Sequence, residues 1–145
     1  MQIDQPLTEE EFKSIYSKVP RLAVEVIIKT PEGIVLTLRS IEPYKGTWHI
    51  PGGTVYYKET INEAIERVAK EELGVEVNID RLLGYIEYPG EAKERGFGWP
   101  IGLAFLCTAK SGTLHGSEQG KTVGIFKELP ENMIKEQKEF LKKIG

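Results

Sequence analysis

The stretch "RVAKEELG", residues 67–74, places two glutamates side by side just before a glycine. With residues 60–73 set at helical steps of about 100° and Ile65 at zero, Ile61, Val68, Ala69 and Leu73 define a buried arc. Glu72 then falls near the middle of that arc, at about −20°, and Glu71 on its flank, at about −120°. An ionised carboxylate on an apolar arc needs a cation, a metal or a proton as partner. Glu71 and Glu72 also sit at the helix C-terminus, where the dipole disfavours negative charge. Glu59 stands at the other end, where the dipole favours it, and can pair with Arg67 if the preceding loop folds back over the helix.

The elements around these residues read as follows. Thr60 and Glu63 form a capping box that opens the helix, and Gly74 supplies a left-handed stop after Leu73. Thr8 and Glu11 repeat the capping-box spacing, and Phe12, Ile15, Tyr16 and Val19 recur at helical intervals until Pro20. "RLAVEVIIK" and "GIVLTLR" are strand-forming runs divided by a turn at Thr30–Gly33, and Arg39 ends the second. The segment 41–59 predicts a loop, a short strand at Thr47–Ile50 and a second loop at Pro51–Gly53, where Gly52 and Gly53 let backbone approach a ligand. Two more strands, "VEVNIDRLLGYIEY" and "WPIGLAFLCTA", flank "PGEAKERGFG", which reads as a mobile surface loop, either a plain connection or a substrate lid. "KTVGIF" is a last strand and "PENMIKEQKEFLKKI" a terminal helix with Met133, Ile134, Phe140, Leu141 and Ile144 available to pack. The mixed order α-β-β-β-α-β-β-β-α predicts an α/β fold of the α+β type, with a largely antiparallel or mixed sheet between helices.

One domain spanning 1–145 accounts for the length, and 40% hydrophobic with 28% charged residues marks an ordinary globular chain. A net charge of −3 argues against a nucleic-acid partner. No apolar run has the length needed to span a bilayer or serve as a signal peptide, so a cytoplasmic location is expected. Cys107, the only cysteine, lies in an apolar run and excludes an intrachain disulfide.

Gly53, Glu59, Arg67 and Glu71-Glu72-Leu73-Gly74-Val75 together resemble the Nudix box, the signature of the Nudix hydrolases. "LTLR" and "GTWHIPGG" resemble the same family. The resemblance implies an α/β/α sandwich that hydrolyses a nucleoside diphosphate linked to another group, a small molecule, with Mg²⁺ or Mn²⁺ as cofactor, in a homodimer. It implies metal ligands at the Gly53 carbonyl, Glu71 and Glu72, and a brace between Glu59 and Arg67. Arg39 is the candidate for gripping a phosphate, because its planar fork matches phosphate oxygens.

The sequence departs from the family pattern at Val68, normally a third glutamate and in some members the general base. The GDP-mannose mannosyl hydrolase branch tolerates this change, and the chain resembles it in the amino-terminal segment, in "PYKGTWHIPGG" and in "SEQGKTVGIFKELPENM". Gln119 matches a metal ligand of that branch, but Gly120 stands in place of its histidine base and Thr54 in place of an arginine. Glu118 is then the leading candidate for the base. His115 reads as a surface residue and His49 as a packing one. Attack at phosphorus and attack at the sugar carbon both remain open. The alternative from another class is a Nudix-fold nucleotide-binding module that has lost catalysis.

Overall fold

The computed structural model describes residues 7–42, 44–115 and 122–145. Glu118, Gln119 and Gly120 lie outside these. Eleven elements follow in order: α1 (Glu9–Tyr16), β1 (Arg21–Thr30), β2 (Gly33–Leu38), β3 (Trp48–His49), β4 (Gly52–Thr54), α2 (Ile61–Leu73), β5 (Val75–Glu87), α3 (Glu91–Arg95), β6 (Pro100–Gly112), β7 (Thr122–Phe126) and α4 (Lys135–Ile144). Two of them correct the expectations from sequence. The predicted loop at 51–53 is largely strand β4, because Gly52 and Gly53 pair with Glu25 and Val24 of β1. The predicted surface loop at 89–98 contains α3, anchored by the buried Glu91.

The sheet runs β3-β2-β1-β6-β5, with β4 also on β1 and β7 on β2. β1 and β6 are parallel over eight residue pairs, and every other strand pair is antiparallel. Alternation along β1 sends Val24, Val26 and Ile28 to one face and Ala23, Glu25 and Ile27 to the other. The first face takes α2 through Ala64, Ile65, Val68, Ala69 and Leu73. The second takes α4 through Leu141, with Phe140 and Ile144 partly buried beside it. An acid in the middle of a strand buried on both faces must therefore face the α4 side.

Both predicted capping boxes form, with Thr8 and Thr60 accepting from the N–H groups of Glu11 and Glu63. Gly74 closes α2 at φ 70°, the left-handed conformation that glycine adopts without strain. A Cβ there would also fall 2.0 Å from Nε2 of His115, so His115 lies over the end of the helix. The buried arc of α2 holds Ile65, Val68, Ala69 and Leu73 as the wheel places them and widens to Ala64, while Ile61 is only half-buried. Along α1, Ile15 remains exposed, as does Val19 just beyond it, and only Phe12 and Tyr16 are half-buried.

Candidate active site

The loop from β4 to α2 is tied down by one arginine. Arg67 Nε and Nη2 donate to the two oxygens of Glu59 at 2.7 and 3.1 Å, and Nη2 also donates to the Thr54 carbonyl at 2.8 Å. The guanidinium lies 3.7 Å from the centre of the Tyr56 ring, and the Tyr56 N–H donates to Glu59 at 2.9 Å. Burial pushes the Glu59 carboxyl up, but hydrogen bonds from Arg67 and the Tyr56 backbone outweigh it and hold the group below its ordinary value. The loop is thus folded back over the helix, with Glu59 and Arg67 as its fastening.

At the far end of α2, Glu71 accepts from Arg67 at 3.3 Å and is largely exposed. Glu72 is half-buried, not enclosed in the apolar arc as the wheel suggested. Its neighbourhood is polar, since the Arg39 guanidinium lies within electrostatic reach of it. Val68 is fully buried, and its Cγ2 stands 3.2 Å from where a Cβ on Gly53 would sit. The position of the missing third carboxylate is therefore filled by apolar packing against the β4 backbone.

Among the described residues, no three histidine, cysteine, aspartate or glutamate side chains converge as a metal-binding group. Two adjacent carboxylates at one helix end still fit a single hard ion that keeps several waters and completes its shell with substrate oxygens.

Beyond Gly52 and Gly53, on the α4 face of the sheet, lies a cavity of about 240 Å³ lined by Glu25, Arg21, Arg39, Tyr88, Glu91 and Arg95 among others. At its floor, Glu25 is 5% exposed. The Tyr88 hydroxyl donates to one Glu25 oxygen at 3.0 Å, and Gln137 Nε2 donates to the other at 3.2 Å. Gln137 Nε2 also donates to the Tyr88 hydroxyl, while its Oε1 accepts the Ile50 N–H at 2.7 Å, which fixes the amide's orientation. Burial pushes the Glu25 carboxyl up to about 8, against the opposing pull of the Tyr88 hydrogen bond and Arg21. It holds its proton at neutral pH.

One wall is basic. Arg21 Nη2 and Arg95 Nε both donate to the same Glu91 oxygen, at 3.1 and 2.9 Å, and Arg21 Nη1 donates to the Thr54 hydroxyl at 2.9 Å. Phe12 of α1 lies under both guanidinium groups, 5.4 and 5.5 Å from its ring centre. Arg39 completes the wall, and its Nε is buried with no hydrogen-bond partner among the described residues. Burial lowers the pKa of Arg21 and Arg39.

Of the residues singled out from sequence, Arg39, Gly52 and Gly53 line this cavity, whereas Glu59 lies just before α2 and Arg67, Glu71 and Glu72 on it, outside the cavity lining. His49 is buried in the cavity wall, with Nε2 3.1 Å from the Thr37 hydroxyl and Nδ1 2.9 Å from the Ile50 carbonyl. Sequence reasoning passed over Arg21, Glu25, Tyr88, Glu91, Arg95 and Gln137. Two of these carried a signal: Glu25 interrupts the apolar run "AVEVII", and Gln137 sits at helical spacing between Ile134 and Leu141.

A family profile described as the NUDIX domain matches residues 19–144. The chain is 42% identical over 90 residues to the low-salt glycan biosynthesis protein Agl8 of Haloferax volcanii, covering 60% of this chain and 58% of that one. It is 33% identical over 107 residues to an ADP-ribose pyrophosphatase of Methanocaldococcus jannaschii, covering 74% and 62% respectively. The chain thus spans about three fifths of the length of these curated relatives. Among solved structures, a MutT NUDIX hydrolase from Burkholderia pseudomallei superposes with a TM-score of 0.75 at 25% identity, over 88% of this chain and 100% of that one.

Proposed function

Because this chain belongs to the Nudix family, we propose that it is a Mg²⁺-dependent hydrolase of a nucleoside diphosphate linked to another group, such as a nucleotide sugar. The observation that carries this reading is the conjunction of two adjacent carboxylates at the end of a braced helix with a basic cavity on the other side of Gly52 and Gly53. The relative described as an ADP-ribose pyrophosphatase supports a diphosphate substrate, and the glycan biosynthesis relative supports a sugar as the linked group.

In this reading Glu71, Glu72 and the Gly53 carbonyl hold the ion, with Mn²⁺ as a substitute and Gln119 as a further ligand. The ion, when bound, neutralises the leaving group and lowers the pKa of bound water. Arg67 and Glu59 keep β4 at a fixed distance from α2, and so set where the diphosphate meets the carboxylates. Arg39, which lines the cavity, donates to a phosphate oxygen through its guanidinium fork. The buried Tyr88, Glu25 and Gln137 network shapes a floor from which bulk water is excluded. Val68 leaves the box without its third carboxylate, so the base comes from outside the box, and Glu118 is its candidate. A homodimer and a cytoplasmic location complete the proposal. The dimer is supported by an open, apolar part of the sheet on the α2 side, where Leu22, Leu82 and Tyr85 stay exposed.

A panel of nucleotide sugars, ADP-ribose and nucleoside triphosphates, incubated with Mg²⁺ and read by product identity, tests this function. Attack within the diphosphate releases a nucleoside monophosphate, and attack at the sugar carbon leaves the nucleoside diphosphate intact. Binding across the panel without turnover in either Mg²⁺ or Mn²⁺ would instead establish a binding module, a reading motivated by Val68 and Gly120.

A further inference from the structure

We propose that Gln137 and His49 are positioning residues: they hold the two peptide groups of Ile50 and, through Pro51, set where the Gly52 and Gly53 backbone meets a ligand. The chain changes partners at this point. β3 pairs with β2, Thr37 opposite His49 and Leu38 opposite Trp48, whereas β4 pairs with β1, Glu25 opposite Gly52 and Val24 opposite Gly53. Ile50 lies between the two ladders and is fully buried, so its N–H and its carbonyl both need partners. Side chains supply them. Gln137 Oε1 accepts the N–H at 2.7 Å, and His49 Nδ1 donates to the carbonyl at 2.9 Å. A carbonyl can only accept, so Nδ1 carries the ring proton, and Nε2 is the acceptor that stands 3.1 Å from the Thr37 hydroxyl.

Gln137 comes from α4, 87 residues from Ile50 and outside the box helix and its loop. Two features fix its aim. Its Nε2 is committed to Glu25 and to the Tyr88 hydroxyl, which leaves Oε1 turned to Ile50. The segment leading into α4 is also registered on β3 by backbone, with the Trp48 N–H donating to the Asn132 carbonyl at 2.8 Å and the Ile134 N–H to the Trp48 carbonyl at 3.1 Å. The link from Ile50 to the glycines is stiff. Pro51 has its φ locked at about −65°, and its carbonyl accepts the Val26 N–H at 2.8 Å. The glycines have no slack either: a Cβ on Gly52 would fall 2.7 Å from the Val24 carbonyl oxygen, and one on Gly53 3.2 Å from Val68. A shift of Ile50 therefore passes to Gly52 and Gly53, which line the cavity together with His49, Ile50 and Gln137. The inference rests on the hydrolase reading for one point, the ion held by the Gly53 carbonyl.

The test titrates Mn²⁺ alone, by electron paramagnetic resonance with thermal melts alongside, into the full chain as wild type, Gln137→Met, His49→Phe and His49→Asn. Gln137→Met and His49→Phe should each weaken Mn²⁺ binding about tenfold or more, the cost of losing a group that orients a metal ligand. His49→Asn is the rescue, because its amide nitrogen takes the place of Nδ1 and restores the bond to Ile50. Both His49 variants lose the contact with Thr37, and Asn leaves a void where Phe fills the site. His49→Asn should therefore melt lower than His49→Phe yet bind Mn²⁺ more tightly. Mn²⁺ affinity that follows Tm, or that stays at the wild-type value in Gln137→Met and His49→Phe, shows a structural role alone and overturns the proposal. A second readout needs no ion: the Gly52 and Gly53 amide resonances of glycine-labelled protein should move in Gln137→Met and His49→Phe and return towards the wild type in His49→Asn. Unmoved resonances overturn the proposal even if the wild type binds no Mn²⁺. If the variants do not fold, the wild type decides: the Ile50 N–H should exchange with deuterium as slowly as the Val26 N–H, and fast exchange overturns the joint. The expected shifts and Mn²⁺ affinities without turnover of any nucleotide contradict the hydrolase reading and leave the joint standing. Wild-type turnover with kcat unchanged in Gln137→Met and His49→Phe contradicts the joint alone.

Discussion

Val68 closes directly against Gly53: a Cβ at position 53 would stand 3.2 Å from the Val68 Cγ2. This contact joins the box helix to the strand that borders the cavity, and it occupies the place of a third metal-binding carboxylate. Val68→Glu therefore puts an ionisable group into a fully buried position. In EDTA the variant should melt below the wild type, and Mn²⁺ should restore more of its Tm than it adds to the wild type. Thermal melts with and without Mn²⁺ check this; equal Mn²⁺ shifts in both proteins would mean that position 68 does not face the ion.

The brace between Glu59 and Arg67 is a charged pair whose acid is fully buried and whose base is nearly so. Breaking such a pair by removing one partner costs about 3 kcal/mol or more, because a buried charge is left uncompensated. Arg67→Ala should show this loss in urea unfolding, together with a large fall in kcat. Glu59 is held below its ordinary pKa in the folded state, so its contribution is present at neutral pH and is lost as pH falls through its folded value. The acid limb of the wild-type stability curve should therefore be steeper than that of Glu59→Gln.

Glu25 works in the opposite direction. Its carboxyl is raised from an ordinary 4.5 to about 8, so between these values the folded protein holds a proton that the unfolded chain has released. Stability is then highest below the lower value and falls as pH rises through the window, reaching its full penalty above pH 8. Glu25→Gln keeps a neutral side chain of the same shape and should flatten this slope, overtaking the wild type at alkaline pH. Denaturant unfolding across pH 5 to 9 measures it; parallel curves for the two proteins would contradict a protonated Glu25.

The course of α1 and α2, the hairpin and the capping boxes was readable because each rests on local spacing: Thr60 with Glu63, Gly74 after Leu73, alternation along "RLAVEVIIK". The Nudix box was readable for the same reason. The cavity was not, since Arg21, Tyr88, Glu91 and Gln137 meet only through the pairing of β1 with β6 and the docking of α4, contacts between residues as many as 112 positions apart. Glu72 shows the limit of the helical wheel: its angle is right, but the last turn of α2 meets the polar neighbourhood of Arg39, where the wheel implied apolar packing. Thr54, which stands in place of an arginine, accepts through its hydroxyl from Arg21 of the neighbouring strand, a contact that spacing along the chain does not reveal.

The most direct measurement is turnover of the best diphosphate diester by the wild type and by Glu72→Gln, side by side in Mg²⁺, with circular dichroism confirming the fold of both. The wild type should turn over only with a divalent ion, and Glu72→Gln should lose nearly all activity while remaining folded. Undiminished Mg²⁺-dependent turnover in Glu72→Gln would contradict the assignment of the ion to the end of the box helix.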